Sequence, residues 1–153
     1  MLPFKKILCP TDFSEPAFVA LKRAEELARH FAAELFVAHI IPTLPGPHLF
    51  PDPQALLNFD VPLYQQELAI KAEQMLKELV SHHKVATRNL VTTGEAAPEI
   101  LRIAHQEHAD LIVIASHGLT GWRRMVFGSV AEKVVRQAIC PVLTIVAPPE
   151  AEQ

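Results

Sequence analysis

Short apolar runs alternate with amphipathic stretches along most of the chain. Runs of four to eight mainly aliphatic residues, such as Glu34–Ile41 and Leu111–Ile114, predict strands that are buried on both faces. Between such runs, apolar residues recur with the i, i+3, i+4, i+7 spacing of a helix, from Ala17 to Phe31 and again within Leu63–His82. Strands that alternate with helices in this way predict a parallel sheet with helices on both of its faces.

One domain spanning residues 1–153 is the expected organisation for a chain of this length. Ser14 is placed to cap the first helix, with Pro16 in its first turn. The alternating polarity of the third strand favours an edge position with one wetter face. The predicted strands are Lys5–Cys9, Glu34–Ile41, Lys84–Thr92, Leu111–Ile114 and Val142–Val146, and the helices after the one that Ser14 caps are Leu63–His82, Glu95–Glu107 and Ser129–Ala138.

Composition and charge narrow the class of protein. Hydrophobic residues make up 50% of the chain and charged residues 20%, which is typical of a globular protein. The net charge of -3 offers no basic excess for a nucleic acid, and no apolar run approaches the roughly 18–20 residues of a membrane span. The first residues lack the apolar core of a signal peptide, so we expect a cytoplasmic protein. Cys9 and Cys140 are expected to be buried free thiols rather than a disulfide.

The segment from Pro42 to Pro62 breaks the regular pattern because prolines are concentrated in it. A loop of this length is usually functional or mobile, and this one also carries Leu49, Phe50 and Phe59. It is expected either to cover a binding site or to contact an unidentified protein partner. The tail at residues 147–153 is expected to be frayed.

The stretch from Asp110 to Val135 carries the clearest candidate chemistry. Its buried strand is followed by glycines at 118, 121 and 128, and Ser129 and Glu132 then have the S-x-x-E spacing of a helix capping box. A strand, a glycine-bearing loop and a helix start together indicate a phosphate site, because backbone N–H groups can approach the anion closely. The spacing is neither that of a P-loop nor that of a dinucleotide fingerprint. Steric demands of the turn and simple capping by Ser129 are the alternative explanation.

This loop resembles the nucleotide loop of the universal stress protein family, whose pattern is Gly, two residues, Gly, nine residues, Gly, then Ser or Thr. Gly118, the nine residues 119–127, Gly128 and Ser129 match that pattern, whereas Ala115 stands at the position of the first glycine. The resemblance covers essentially the whole chain. The other stretches that fit are ILCPTDFS at residues 7–14 and CPVLTIV at residues 140–146.

The resemblance implies a Rossmann-like fold of the adenine nucleotide alpha hydrolase type, with strand order 3-2-1-4-5. Ligands of such sheets bind where the winding reverses, which here is between strands one and four. It also implies ATP, or another adenine nucleotide, as the ligand, with Mg²⁺. The site residues that it implies are Pro10, Thr11, Asp12, Ile40, Ala115, Ser116, His117, Gly118, Leu119, Thr120, Gly121, Gly128, Ser129, Val130 and Ala131.

Three of these residues are expected to have distinct roles. Ile40 would give adenine an apolar wall, and Asp12 would accept from a hydroxyl group or hold Mg²⁺, unless it serves only as a turn residue. Ala115 would cost little if its φ is negative, whereas a positive φ or a ligand against its Cα would make the methyl group weaken binding.

The expected function is that of an ATP-binding, dimeric, nucleotide-responsive regulator in the stress response, with the homodimer formed through the strand Val142–Val146. One alternative is a slow ATPase, for which Asp12 and His117 are the nearby candidates, although no catalytic residue is assigned. Another is a nucleotide-free dimeric interaction module in which Ala115 marks the loss of binding.

Overall fold

The computed structural model describes residues 3–43, 60–81, 85–117 and 128–147. The strands in these ranges form one five-stranded parallel sheet in the order β3-β2-β1-β4-β5, which confirms the predicted order. In chain order the elements are β1 (Lys6–Pro10), α1 (Glu15–Phe31), β2 (Glu34–Ile41), α2 (Val61–Val80), β3 (Thr87–Thr93), α3 (Ala96–Gln106), β4 (Leu111–Ala115), α4 (Ser129–Gln137) and β5 (Val142–Ile145).

Each face of the sheet carries its own hydrophobic core, as the nearly all-apolar strands predict. Ile7 and Cys9 of β1 pack among residues of α1 and α2, whereas Leu8, between them in sequence, packs among residues of α3 and α4. Successive side chains of a strand point to opposite faces, so a strand that is apolar throughout supports helices on both sides. The helices therefore cover both faces of the sheet, as predicted.

Helix α1 begins and ends at residues with recognisable local chemistry. The Ser14 hydroxyl accepts a 3.3 Å hydrogen bond from the N–H of Ala17, which confirms the predicted cap. Ala32 closes the helix in the left-handed conformation at φ 51°, and its N–H returns to the last turn. These two ends fix the direction in which the chain leaves β1 and enters β2.

Several predicted boundaries need correction. Helix α2 begins at Val61 and not at Leu63, because Asp60 accepts from the N–H of Leu63 and Pro62 occupies the first turn, where its missing N–H costs little. The third strand begins at Thr87, later than predicted, and it lies at the edge of the sheet as expected. Most of the predicted proline loop (44–59) and most of the predicted tail (148–153) lie outside the described residues.

The predicted capping box at Ser129 is wrong. Gly128 occupies the cap position with extended backbone angles, and Ser129 is the first residue of α4, with no side chain capping the helix. The Gly128 N–H donates to the carbonyl oxygen of Ser116, and the Gly128 carbonyl then accepts the first helical bond from Glu132. The tertiary bond to Ser116 therefore decides where the helix starts. The last strand, β5, ends at Ile145, one residue before the predicted end.

Candidate functional site

A crevice opens where β1 and β4 separate at their carboxyl ends. β1 pairs with β2 along its whole length, up to Pro10 opposite Ala38, but pairs with β4 only at Ile7 and Leu8. The N–H of Thr11 points to β2, where it donates to Ala38, so Pro10 faces β4 in the alternation of a parallel strand. Because proline has no N–H to give to that side, the ladder between β1 and β4 cannot continue there.

The crevice widens into a cleft of about 350 Å³ at the point where the winding of the sheet reverses. All of the predicted site residues that lie in the described ranges line it. They are Pro10, Thr11, Asp12, Ile40, Ala115, Ser116, His117, Gly128, Ser129, Val130 and Ala131. The other predicted residues, Gly118, Leu119, Thr120 and Gly121, lie outside the described part of the chain.

Four further residues line the cleft that the sequence analysis did not assign to it: Ala17, Ala96, Ile100 and Ile114. Together with Ile40 they are all apolar. Ala96 and Ile100 are four residues apart and so share one face of α3, and that spacing was the available signal. They give the cleft an apolar wall on the side of α3.

The turn from β1 into α1 presents the only carboxylate among the described lining residues. Asp12 Oδ1 accepts from both the backbone N–H and the hydroxyl group of Ser14, and Thr11 Oγ1 accepts from the N–H of Phe13 at 3.1 Å. Phe13 has φ 62°, in the left-handed region that bulky residues rarely adopt. The local bonds therefore hold a strained turn that places Asp12 at the cleft.

His39 of β2 braces the same turn from the neighbouring strand. Its Nδ1 lies 2.8 Å from the carbonyl oxygen of Thr11, and its ring lies 4.5 Å from the ring of Phe13 between centroids. His39 is half-buried, is not among the predicted site residues and does not line the described cleft. Its contacts connect β2 to the backbone that carries Asp12.

The junction of β4 and α4 forms the opposite wall. The N–H of Gly128 donates a 2.7 Å hydrogen bond to the carbonyl oxygen of Ser116. The next three N–H groups, of Ser129, Val130 and Ala131, belong to the first turn of the helix and have no partner within it. They give this wall the partial positive charge of a helix N-terminus.

Ser116 and His117 form a polar pair on the floor of the cleft. The hydroxyl of Ser116 is 2.8 Å from His117 Nδ1, and the Ser116 N–H donates to Ile145 of β5. His117 Nε2 is buried and has no hydrogen-bond partner among the described residues. Together they place a hydroxyl and an imidazole beside the start of α4.

Ala115 meets the condition under which the sequence analysis expected it to be tolerated. It is the last residue of β4, and the described non-glycine residues with positive φ are Phe13, Ala32 and His108. The backbone at Ala115 is therefore accessible to any L-residue, and its methyl group causes no backbone strain.

Other features of the described residues bear on possible chemistry. Cys9 is a buried free thiol as predicted, whereas Cys140, also free, is only half-buried. The described residues contain no cluster of three or more His, Cys, Asp or Glu that could hold a metal ion. No helix in the described ranges is long and apolar enough to cross a bilayer.

The reversed winding and the cleft at the carboxyl ends of β1 and β4 define a doubly wound α/β protein with a crevice at the switch point of its sheet. The sequence profile described as the Universal stress protein family matches residues 3–145. The chain belongs to the universal stress protein family.

Individual relatives agree with this assignment. Universal stress protein MJ0531 of Methanocaldococcus jannaschii is 32% identical over 145 residues, which cover 95% of this chain and 84% of the relative. The solved structure of the hypothetical protein MJ0577 superposes with a TM-score of 0.80 at 27% identity and covers 96% of this chain and 99% of its own. The structure of the universal stress protein from Archaeoglobus fulgidus in complex with dAMP superposes with a TM-score of 0.58 at 22% identity. The match covers 94% of this chain and 98% of that one, so the two proteins share the fold.

Proposed function

We propose that this protein binds an adenine nucleotide, ATP with Mg²⁺, in the cleft between β1 and β4, and that occupancy regulates a homodimer in the stress response. The observation that carries the proposal is the composition of one cleft. The cleft is lined by an apolar wall, by the carboxylate of Asp12 and by the N-terminus of α4. Its volume of about 350 Å³ is within the usual size of a small-ligand site.

The apolar wall suits the adenine ring. Ile40 at the end of β2 and Ala96 and Ile100 of α3 offer aliphatic surface without charge. A flat aromatic base loses little on leaving water for such a wall, and backbone groups near it can read the edge of the base. The ribose would then lie toward the turn that carries Asp12.

The opposite wall suits the phosphates. The N–H groups of Ser129, Val130 and Ala131 are available to oxyanions, and the dipole of α4 favours negative charge at the same place. His117 Nε2 is a further polar group at this wall. Mg²⁺ is usually held by one or two carboxylates together with substrate phosphates and water, so the single carboxylate of Asp12 fits that ion when a nucleotide is bound.

The named relative from Archaeoglobus fulgidus supports an adenine nucleotide as the ligand class, since its structure is a complex with dAMP. The phosphate group of such a nucleotide would require an anion site of the kind that the start of α4 offers. The adenine ring would require an apolar wall like that of Ile40 and Ile100.

The homodimer is proposed to form through β5, one of the two edge strands of the sheet. Leu143 of β5 is 39% exposed, and Ile139 and Val146 on either side of the strand are 82% and 71% exposed. An edge strand with exposed apolar side chains and no charge is a template for pairing with another strand. Because β5 also bonds to Ser116 through Ile145, the dimer edge and the floor of the cleft are one bonded unit.

The test is calorimetric titration of ATP with Mg²⁺ into protein stripped of co-purified nucleotide. Gly128→Arg fills the junction of β4 and α4 and should abolish binding. Gln74→Arg adds the same charge on an exposed part of α2 and should leave binding unchanged. A folded wild type that does not bind would contradict the proposal and leave a nucleotide-free interaction module. Binding with turnover lost in a folded Asp12→Ala variant would instead favour a slow ATPase.

A further inference from the structure

His39 makes a hydrogen bond whose direction the chemistry decides. Its Nδ1 is 2.8 Å from the backbone oxygen of Thr11, and a carbonyl oxygen can only accept. Nδ1 therefore carries the hydrogen, and the neutral ring has Nε2 as its acceptor. The peptide group that receives this bond joins Thr11 to Asp12. The bond from His39 therefore fixes the orientation of the peptide plane that precedes Asp12.

The second contact of His39 supports the strained residue next to Asp12. The rings of His39 and Phe13 lie 4.5 Å apart and are tilted by 39°, in the range of favourable aromatic pairs. Phe13 has φ 62°, a conformation that persists only where its surroundings over-determine it. Thr11 Oγ1, which accepts from the Phe13 N–H, is the other support.

We propose that His39 is a positioning residue of the nucleotide site, which acts through the Thr11–Asp12 peptide group and the Phe13 ring to hold the Asp12 carboxylate at the ribose or the metal ion. The inference rests on the proposed function and extends it to a residue of β2 that does not line the cleft. Asp12 and Ser14 fix each other locally, but those bonds lie within the turn. His39 connects that turn to the sheet.

Two substitutions separate the contacts of His39. His39→Phe keeps an aromatic ring against Phe13 but removes the donor to Thr11. His39→Asn removes the ring but keeps an N–H donor the same number of bonds from the backbone. The lost donor leaves a partly buried carbonyl unpaired, so His39→Phe should weaken ATP·Mg²⁺ binding roughly 5- to 30-fold, and His39→Asn should recover most of that loss.

A double-mutant cycle with Asp12→Ala distinguishes positioning from a general structural role. If His39 acts through Asp12, adding His39→Phe to Asp12→Ala should change the ATP dissociation constant less than about twofold. Independent, additive effects of the two substitutions would overturn the inference. Free adenine, which lacks both ribose and phosphate, should bind His39→Phe and wild type alike.

The outcomes separate this inference from the proposed function. A wild type that binds ATP together with a folded His39→Phe variant of equal affinity would overturn the role of His39 and leave nucleotide binding intact. A wild type that does not bind overturns both. If His39→Phe does not fold, the Nδ1 proton of His39 is followed by NMR during titration of the wild type. The chemical shift of this proton should change when ATP·Mg²⁺ binds to the wild type, but not when it binds to Asp12→Ala at equal occupancy. The same change in both proteins would contradict the proposal.

Discussion

The amide nitrogen of Gly128 lies 2.7 Å from the carbonyl oxygen of Ser116, so the first turn of α4 is tied to the residue that follows β4. A Cβ atom at residue 128 would lie 3.2 Å from that same oxygen and 3.6 Å from the Cα of His117. The first distance is tighter than ordinary contact, and both neighbours are backbone that cannot rotate away. Glycine is favoured here by the close approach of two segments and not by its φ of -60°.

Gly128→Val should therefore lower the free energy of unfolding by roughly 1–3 kcal/mol, as overpacking usually does. Gly128→Ala should have a smaller effect in the same direction, because one methyl group needs a shift of only a few tenths of an ångström. Urea denaturation would measure both. Ser129→Val, one residue along and exposed, is the control and should change stability by less than about 0.5 kcal/mol. Equal effects of Gly128→Val and Ser129→Val would contradict the steric explanation.

Ala115→Gly should restore the glycine of the family pattern without improving the site. The residue ends β4 in a conformation open to any side chain, so glycine relieves no strain. Glycine in a strand costs about 0.5–1 kcal/mol of stability relative to alanine, and we expect that loss in urea denaturation. The dissociation constant for ATP should stay within about threefold of wild type, since the substitution leaves the backbone at the floor of the cleft unchanged. A gain of tenfold or more would show that the methyl group touches the ligand.

Cys9 should be unreactive in the folded protein. Burial raises the pKa of its thiol from 9.0 to about 12, and burial also raises the pKa of the half-buried Cys140. Iodoacetamide at pH 8 should modify Cys140 before Cys9, because a thiolate and solvent access are both required. Peptide mass spectrometry measures the order of labelling. Modification of Cys9 at the same rate as Cys140 in folded protein would contradict the burial of the thiol.

The same thiol should make stability depend on pH in the alkaline range. Above pH 9 the unfolded chain loses the Cys9 proton while the folded protein retains it up to about pH 12. The unfolded state then binds fewer protons, so stability falls as pH rises, by up to about 1.4 kcal/mol per pH unit. Cys9→Ala should show a shallower decline between pH 9 and 10 in urea denaturation. Parallel declines for both proteins would mean that Cys9 titrates alike in the folded and unfolded states.

Leu143→Glu should produce a monomer if β5 is the dimer edge. The substitution puts a charge on a strand whose described residues carry none, and a buried unpaired carboxylate is costly. Analytical ultracentrifugation of wild type and variant measures the change. Ile70→Glu is the matched control, because Ile70 is also exposed but lies on α2. A variant that remains dimeric would place the interface elsewhere.

The pattern of apolar residues predicted the fold well because the sheet is buried on both faces. Glu34–Ile41 is almost entirely apolar, so its bounds as β2 could be predicted from sequence and the structure confirms them. The strand order came from the family resemblance and is also confirmed. Pro62 was misplaced because proline in the first turn of a helix and proline in a loop have the same sequence signature, and the cap by Asp60 decides between them.

The lining of the candidate cleft could be predicted only where it depends on residues that directly follow a strand or precede a helix. Asp12 comes just after β1, and Gly128 comes directly before α4. The topology therefore brings both residues to the carboxyl ends of the central strands, where they line the same cleft. Ala96 and Ile100 could be assigned to a buried helix face but not to the cleft, because their place depends on how α3 lies across the sheet. Ser129 was misassigned because the S-x-x-E spacing does not reveal the bond between Gly128 and Ser116.

The central place of β1 has a consequence for synthesis of the chain. Lys5 and Lys6 give their backbone N–H groups to the carboxylate of Asp110, 105 and 104 residues away, so β1 can meet β4 only after the segment between them has been made. Asp12 leaves the ribosome well before the amides of α4. A nascent chain would thus carry only one wall of the cleft until β4 and α4 have been made.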